Sequence, residues 1–225
     1  MDFELMFSSF PKLLFASITT LKLLFASLFF GLIIGLIFAI LRLKKNKFLN
    51  SFAYGYSYIF RGTPLLVQIF IIYFGLGQIE FLRSTILWNV LKEAYWCAII
   101  AFSLNTGAYT SEILRSAFQT IKPGFIEAGK SLGISKNIIF YKIQIPIAIR
   151  QSLPAYGNEI ILMMKGTSLA STVTLMDLTG VAKYIISTTY APIEVFIVAG
   201  SIYLFMTFII HNVIKYLEKK YSFQQ

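Results

Sequence analysis

The sequence predicts an all-α membrane protein with five transmembrane helices in a single domain, residues 1–225. Of the 225 residues, 57% are hydrophobic and only 13% are charged, and the mean hydropathy is +0.72. Soluble domains carry about 25% charged residues. Apolar stretches of about 20 residues recur along the chain, and that length lets an α-helix cross a hydrocarbon core of about 30 Å. These observations exclude a soluble globular protein.

Each predicted span is centred on one apolar stretch. The spans are placed at about 21–41, 64–80, 94–111, 153–173 and 193–213. A short amphipathic lead-in over residues 1–17 precedes the first span. Gly31 and Gly35 lie four residues apart in that span, and this spacing lets another helix approach closely. We expect close packing within the bundle there.

The second span follows an aromatic, amphipathic segment. Residues 48–60 place apolar side chains on one helical face, which indicates a helix lying in the membrane interface. Thr63 is expected to cap the next helix. Pro64 would then take the first helical position, where a missing N–H has no cost.

Charged side chains interrupt the fourth span. Glu159 and Lys165 fall within it, and charges inside a membrane are costly and usually functional. Gly166 then loosens the helix. Residues 167–190 are small and rich in hydroxyl groups, so we interpret them as a partly re-entrant or outer segment before the fifth span.

The basic residues are concentrated in three segments outside the spans. Four bases lie in 42–47, six in the central loop 112–150, and three in the tail after residue 213. The positive-inside rule places these segments in the cytoplasm, with the N-terminus outside and the C-terminus inside. The formal net charge of +10 is therefore interpreted as a topology signal, and no nucleic-acid partner is expected.

Residues 124–131 match the phosphate-loop pattern G-x-x-x-x-G-K-[ST]. A functional phosphate loop follows a buried strand and opens a helix, whereas residues 110–122 have helical spacing. Glu127 would also place a carboxylate in the anion cradle. We interpret the match as chance, so the chain is not expected to bind ATP. Cys97 and His211 lack the spacing of metal ligands, and no catalytic or metal site is predicted.

The central loop carries a second, longer pattern. It reads Glu127-Ala128-Gly129, three residues, Gly133, nine residues, then Ile143-Gln144-Ile145-Pro146. This resembles the EAA loop of the permease subunits of bacterial ATP-binding-cassette (ABC) importers, whose pattern is Glu-Ala-Ala, three residues, Gly, nine residues, Ile-x-Leu-Pro. The departures are Gly129 in place of Ala and Ile145 in place of Leu.

Further motifs extend the resemblance from about residue 21 to the C-terminus. They are Arg61-Gly62-Thr63-Pro64, Asn105–Tyr109, Leu153–Glu159 and Lys165–Ala170. The chain is similar to permeases of the histidine/arginine/glutamine type. The resemblance implies a type I importer transmembrane domain that moves polar, basic amino acids (arginine, histidine or lysine) into the cytoplasm by alternating access. A permease for glutamine, glutamate or another polar amino acid is one alternative, and a non-transporting membrane assembly subunit is another.

The resemblance also implies partners and a location. The partners are two ABC ATPase subunits, a second permease subunit that is identical or different, an extracytoplasmic solute-binding protein, membrane lipid and the amino-acid substrate. The chain itself would bind no cofactor and would not be an enzyme, because ATP and Mg²⁺ belong to the ATPase. The location is the bacterial cytoplasmic (inner) membrane. In the family the loop forms a short coupling helix, and the contact residues carried over are Glu127, Ala128, Gly129, Ser131, Leu132, Gly133, Ile143 and Pro146.

Six polar residues are candidates for substrate binding. They are Glu159, Asn158, Lys165, Asn105, Tyr109 and Glu112. Glu159 could neutralise a cationic substrate, or could pair with Lys165 or with a partner subunit. Lys165 could meet a substrate carboxylate or extend to the interface. The residues on the third span share one helical face, and they form either a polar cavity with Glu159 or a stabilising seam in which Glu112 pairs with Arg115.

Overall fold

The computed structural model describes residues 1–221 and contains only helices and turns within that range. The helices are α1 (Phe3–Leu43), α2 (Lys47–Gly62), α3 (Leu65–Phe70), α4 (Glu80–Arg83), α5 (Trp88–Leu91), α6 (Ala94–Gln119), α7 (Pro123–Ser131), α8 (Lys136–Ile139), α9 (Ile145–Gly166), α10 (Leu178–Thr189) and α11 (Pro192–Tyr221). A π-helical turn and a 3₁₀ turn extend α3 to Gln78, a π-helical turn joins α8 to α9, and a 3₁₀ stretch extends α9 to Val173. The all-α prediction is confirmed.

Two of these helices are individually long and apolar enough to cross a membrane. They are α1 and α11, and two bent pairs raise the number to four: α2 with Leu65–Gln78, bent by 104°, and Lys136–Val173 with α10, bent by 48°. The helix α6 covers the predicted third span but is less apolar, because it carries Ser, Thr and Asn side chains that face other helices. The count of five spans stays a prediction.

The first helix is longer than the span predicted for it. The lead-in over 1–17 is not a separate element, because it continues α1 without a break to Leu43. Asp2 begins the helix by accepting a hydrogen bond from the Leu5 N–H at 3.0 Å. At 41 residues, α1 measures about 62 Å, roughly twice the hydrocarbon thickness.

Glycines bring α1 and α6 into close contact. A Cβ atom built on Gly31 would lie 2.2 Å from Cγ2 of Thr106, and one built on Gly35 would lie 2.6 Å from Cβ of Thr110. A larger side chain at either position would therefore clash with a threonine side chain of α6. The expectation of close packing within the bundle at these two glycines is confirmed.

The corner between α2 and α3 is built differently from the prediction. The Thr63 hydroxyl donates to the Ile59 carbonyl at 2.8 Å and so closes α2. Pro64 takes the cap position of α3, which has no side-chain cap. The amide nitrogen of Gln68 turns back to donate to the Phe60 carbonyl and to Thr63 Oγ1, each at 2.8 Å. The Thr63 cap prediction was wrong, because this glutamine already uses the hydroxyl as an acceptor.

The remaining spans keep their order but shift their ends. The helix α9 begins at Ile145 rather than near 153, and it continues directly from the loop. After Val173, the buried Asp177 caps α10 by accepting hydrogen bonds from the Gly180 N–H at 3.0 Å and the Thr179 N–H at 3.4 Å. The main core lies between α1, α6, α9, α10 and α11, so α6 and α9 meet side by side inside the bundle.

Candidate functional site

Glu159 lies on the face of α9 that packs against α6. Its side chain is buried, with only 4% of the residue exposed. The hydroxyl of Thr106 lies beside the carboxylate without completing a hydrogen bond, and the guanidinium of Arg61 acts on it electrostatically. Within residues 1–221, Glu159 makes no ion pair. The pair with Lys165 is therefore not formed in this structure.

Asn158 and Lys165 lie on a different face of α9. Both are exposed on the outside of this chain, and their separation of seven residues places them two turns apart on that face. They do not meet Glu159, which points into the bundle. The structure thus divides the predicted group on the fourth span into one buried residue and two outward-facing residues.

Asn105 is buried and holds the α2–α3 corner against α6. Its amide nitrogen donates to the Phe60 carbonyl and to Oε1 of Gln68, each at 3.0 Å. Tyr56 makes a similar contact one turn earlier on α2, where its hydroxyl donates to the Leu104 carbonyl at 2.6 Å. The hydrogen bonds of Asn105 therefore serve the packing of these helices.

Tyr109 and Glu112 face a cavity of about 290 Å³ between α6 and α9. This volume is close to the lower limit for small-molecule sites, about 300 Å³. The lining, which we call the α6/α9 cavity, consists of Arg61, Tyr109, Glu112, Ile113, Ser116, Ala117, Thr120, Gln151, Ser152 and Ala155. It contains both a cation and an anion, together with hydroxyl and amide groups.

Glu112 is held by two arginines. The Arg115 Nε–H donates to Glu112 Oε1 at 2.9 Å, and Arg42 Nη2 lies 3.7 Å from Oε2. Glu112 lies beyond the predicted third span, and the hydrogen bond from Arg115 holds the pKa of its carboxyl below the usual range. The predicted pair between Glu112 and Arg115 is present, and Arg42 extends it to the end of α1.

The α6/α9 cavity ends one helical turn from Glu159. Ser152, Ala155 and Glu159 follow each other at intervals of three and four residues on α9, so they share a face. Thr106 and Tyr109 are likewise three residues apart on α6, which corresponds to about 4.5 Å along the axis. Glu159 and Thr106 therefore lie next to the lining of the cavity without being part of it.

Two residues of this region, Arg61 and Gln151, were not among the sequence candidates. Arg61 was visible only as part of the Arg61-Gly-Thr-Pro motif, which precedes a span that reads as continuous apolar sequence. Gln151 lies two turns from Glu159 on α9, between the predicted loop (112–150) and the predicted fourth span (153–173). Only the tertiary contact between α2, α6 and α9 brings both to one cavity.

The predicted coupling residues surround α7 and the turn after it. Glu127, Ala128, Ser131 and Leu132 are exposed, and Leu132 is 78% exposed. The Ser131 hydroxyl donates to the Glu127 carbonyl at 3.0 Å, so its hydrogen bond is made within α7. The phosphate-loop match over 124–131 is helical, preceded by another helix, so it lacks the required strand context.

The other predicted coupling residues are Gly129, Gly133, Ile143 and Pro146. They determine the backbone conformation and the packing of this segment. Gly129 is buried, and a Cβ there would lie 3.1 Å from Cδ1 of Ile139. Gly133 has a φ of +73°, the left-handed conformation that ends the turn, and space around it is open. Ile143 packs on a small cluster with Ile121 and Ile147, and the half-buried Pro146 lies at the start of α9.

Comparisons with known proteins agree with this architecture. Residues 31–223 match the family described as binding-protein-dependent transport system inner membrane component. The nopaline transport system permease protein of Agrobacterium fabrum is 52% identical over 97% of this chain and 91% of its own length. The histidine/lysine/arginine/ornithine transport system permease protein of Salmonella typhimurium is 37% identical over 90% of this chain and 86% of its own length.

One solved structure has the same fold over almost the whole chain. It is described as an amino acid ABC transporter with histidines, and it aligns with a TM-score of 0.88 at 34% identity, covering 98% of this chain and 99% of its own. The chain therefore belongs to the binding-protein-dependent transport system inner membrane component family, as an amino-acid ABC permease subunit whose ATPase is a separate subunit.

Proposed function

We propose that this chain imports cationic amino acids, with Glu159 as the residue that neutralises the substrate side chain. The observation that carries the proposal is a buried carboxylate with no ion pair within residues 1–221, one turn from the α6/α9 cavity. A buried, unpaired carboxylate is costly, and a guanidinium, ammonium or imidazolium group from a substrate would supply the missing charge. Relatives named for arginine and for histidine, lysine and ornithine support this substrate class.

The route to Glu159 requires movement of α6 relative to α9. We propose that docking of the ATPase on α7 and its following turn drives this movement, because α9 continues from α8 through an unbroken helical path. A displacement of the loop would thus be transmitted along α9 to Glu159. ATP and Mg²⁺ would be bound by the ATPase subunits, while a second permease subunit and an extracytoplasmic solute-binding protein would complete the importer.

Asn158 and Lys165 would then serve another surface of the subunit. Their shared, exposed face on α9 is suited to a second permease subunit or to a substrate carboxylate in a cavity between the two subunits. Asn105 would act by holding the α2–α3 corner, and Tyr109 with Glu112 would line the route to Glu159.

We propose an orientation with the N-terminus outside and the central loop inside the cell. The excess of basic residues in the loop supports it. Cysteines introduced at Lys44 and Lys136 should resist impermeant reagents in intact cells, whereas one at Arg83 should react. Reaction at Lys136 from outside would refute this orientation.

The experiment for the transport site is uptake into vesicles by the reconstituted complex, measured with a panel of amino acids. Wild-type complex should take up arginine, lysine or histidine in preference to glutamine and glutamate. Glu159→Gln keeps the shape and removes the charge. It should reduce uptake of the cationic substrates by about tenfold or more, since hydrogen bonds to charged groups contribute about 1.5–3 kcal/mol.

The matched control is Glu194→Gln, which removes a carboxylate at the start of α11, far in sequence from the cavity. It should leave the preference unchanged. Normal arginine and lysine uptake by Glu159→Gln would show that Glu159 is structural. A wild-type preference for glutamine or glutamate would refute the cationic class and favour a permease for another polar amino acid.

A further inference from the structure

A groove lies between the N-terminal half of α1 and the helix α10. Its volume is about 650 Å³, which is larger than the α6/α9 cavity and within the range of small-molecule sites, about 300–1,000 Å³. We call it the α1/α10 groove. Its walls are apolar at Leu5, Phe15 and Val181, and its polar lining includes Lys12, Tyr184 and Thr188.

The polar groups of this groove are donors without an anionic partner. Lys12 is the one charged residue among the described lining residues. Within residues 1–221, its ammonium group makes no ion pair and no hydrogen bond. Over the same range the hydroxyl of Tyr184 donates to no acceptor, whereas the Thr188 hydroxyl is occupied by the Ile185 carbonyl at 2.9 Å. The groove therefore offers an ammonium and a phenol to an anion.

The direction of α1 places Lys12 near the surface of the membrane. The Asp2 N–H donates to Glu194 Oε1 at 3.4 Å, and Thr20 lies beside Tyr203. These contacts are 18 residues apart on α1 but only nine apart on α11, which corresponds to about 27 Å and about 13.5 Å. The N-terminal half of α1 is therefore strongly inclined to α11.

This inclination sets the depth of Lys12. It lies about halfway between the two contacts, so it is level with a point about 7 Å along α11 from Glu194. The predicted fifth span begins at residue 193, so Lys12 lies just inside the membrane at that end. A lysine side chain is long and flexible enough to bring its ammonium from this depth to the level of the lipid head groups.

The two halves of the groove match the two parts of a phospholipid. An ammonium group is a point-charge partner for a phosphate, and the phenol of Tyr184 can donate a second hydrogen bond. The apolar walls are suited to a hydrocarbon chain, which gains about 0.8 kcal/mol for each buried CH₂ group. A water-soluble anion would leave those walls uncovered, whereas the bilayer supplies phosphate and chain together at this level.

We propose that the α1/α10 groove binds one phospholipid, with its phosphate at Lys12 and Tyr184 and an acyl chain along Leu5, Phe15 and Val181. In the orientation proposed above, this lipid belongs to the outer leaflet. It fills the space between α10 and the inclined half of α1. The inference goes beyond the proposed function, because it is independent of which amino acid is carried.

The test is native mass spectrometry of the assembled complex of permease and ATPase subunits, titrated with dioleoyl-phosphatidylglycerol. Wild-type complex should bind the lipid with a saturable affinity. Lys12→Gln removes the cation and should weaken that affinity about fivefold, since a lysine near a membrane surface contributes about that factor to the binding of anionic lipid. The matched control is Lys92→Gln, which removes an exposed lysine outside the groove and should leave the affinity unchanged.

A second pair of variants tests the apolar half of the groove. Thr188→Phe fills the groove without changing a charge, and it should also weaken lipid binding. Ser187→Phe adds the same ring at the neighbouring exposed position, which does not line the groove, and it should have no effect. Thermal unfolding of each variant shows that the chain is folded.

The contrary outcomes are distinct. Unchanged lipid affinity in Lys12→Gln and Thr188→Phe would overturn the proposal. Equal loss in all four variants would overturn it as well, because it would indicate lipid bound around the whole bundle. Weaker binding of the solute-binding protein to Lys12→Gln, with lipid affinity unchanged, would assign the groove to that protein instead.

Discussion

The α6/α9 region buries a charged side chain, whereas the central loop exposes apolar side chains. Both depart from the usual distribution, in which apolar groups are buried and charged groups are exposed. Between α6 and α9 the protein buries a carboxylate, Glu159, beside the hydroxyl of Thr106. Around α7 it exposes apolar side chains on a segment that carries lysines, and Leu132 is the most exposed of them at 78%. A soluble protein would bury the leucine and expose the glutamate.

Under the proposed function, each region is completed by a different kind of partner. A buried, unpaired carboxylate is satisfied by a small cation that enters the bundle. Exposed apolar side chains rimmed by charges are satisfied by a protein surface. The segment that connects them is continuous helix from Lys136 to Gly166, so a change at one partner can reach the other. Substitutions can disrupt either region separately.

The largest expected effect is at the exposed side of the loop. Leu132→Asp places a charge where we expect an apolar contact with the ATPase, and truncated or charged interface anchors cost about 2 kcal/mol or more. The ATPase should copurify with this variant at least about tenfold less efficiently. The chain itself should still insert and unfold at the normal temperature, since Leu132 supports little of the fold.

The control for Leu132 is Ile86→Asp, which changes another highly exposed apolar residue, 85% exposed, outside the loop. It should not reduce copurification. Normal ATPase recovery with Leu132→Asp would remove the proposed docking role from this turn, whereas equal loss in both variants would indicate a general effect on insertion.

The next effect is at the buried side, where α1 supports Thr106. Gly31→Ala places a methyl group 2.2 Å from Cγ2 of Thr106, and overpacking of this kind costs about 1–3 kcal/mol. The thermal unfolding midpoint in detergent should fall. Adding Thr106→Ser removes the crowded methyl but keeps the hydroxyl beside Glu159, so the double variant should recover both stability and uptake.

The control for Gly31 is Gly200→Ala on α11, where an added Cβ meets nothing within 4 Å. Because alanine favours a helix over glycine by about 0.5–1 kcal/mol, this variant should be equally or more stable than the wild type. A double variant at Gly31 and Thr106 that stays as unstable as Gly31→Ala would show that the backbone of α6 is the limiting contact.

The smallest effect is at Gly129, where this loop departs from the Ala of the family pattern. Gly129→Ala would place a Cβ 3.1 Å from both Cδ1 and Cγ1 of Ile139, a tight contact that a small shift of that side chain would relieve. The gain in helix propensity should offset the crowding, and uptake should stay within about twofold of the wild type. Gly124→Ala on the same helix meets nothing within 4 Å and serves as the comparison in thermal unfolding. A loss of uptake restored by Ile139→Val would show instead that Gly129 is required for packing.

The sequence predicted which helices exist better than it predicted where they begin and end. The start of α6 at Ala94 and the close approach at Gly31 follow from local patterns and were predicted. The start of α9 was placed eight residues late, because residues 145–152 contain polar side chains that the apolar criterion excludes. Two of those polar side chains, Gln151 and Ser152, line the α6/α9 cavity.

The sequence by itself determined the class of the protein, the resemblance of its loop and the presence of a charge in the fourth span, because composition and spacing are properties of the chain read in order. Only the tertiary structure decided which polar residues share a site. It separated Glu159 from Asn158 and Lys165 by the face of α9 that each occupies, engaged Asn105 with Gln68, and brought Arg61 onto Tyr109. The physical reason is that neighbouring positions on a helix point in different directions, so the packing of α2, α6 and α9 determines which of them meet.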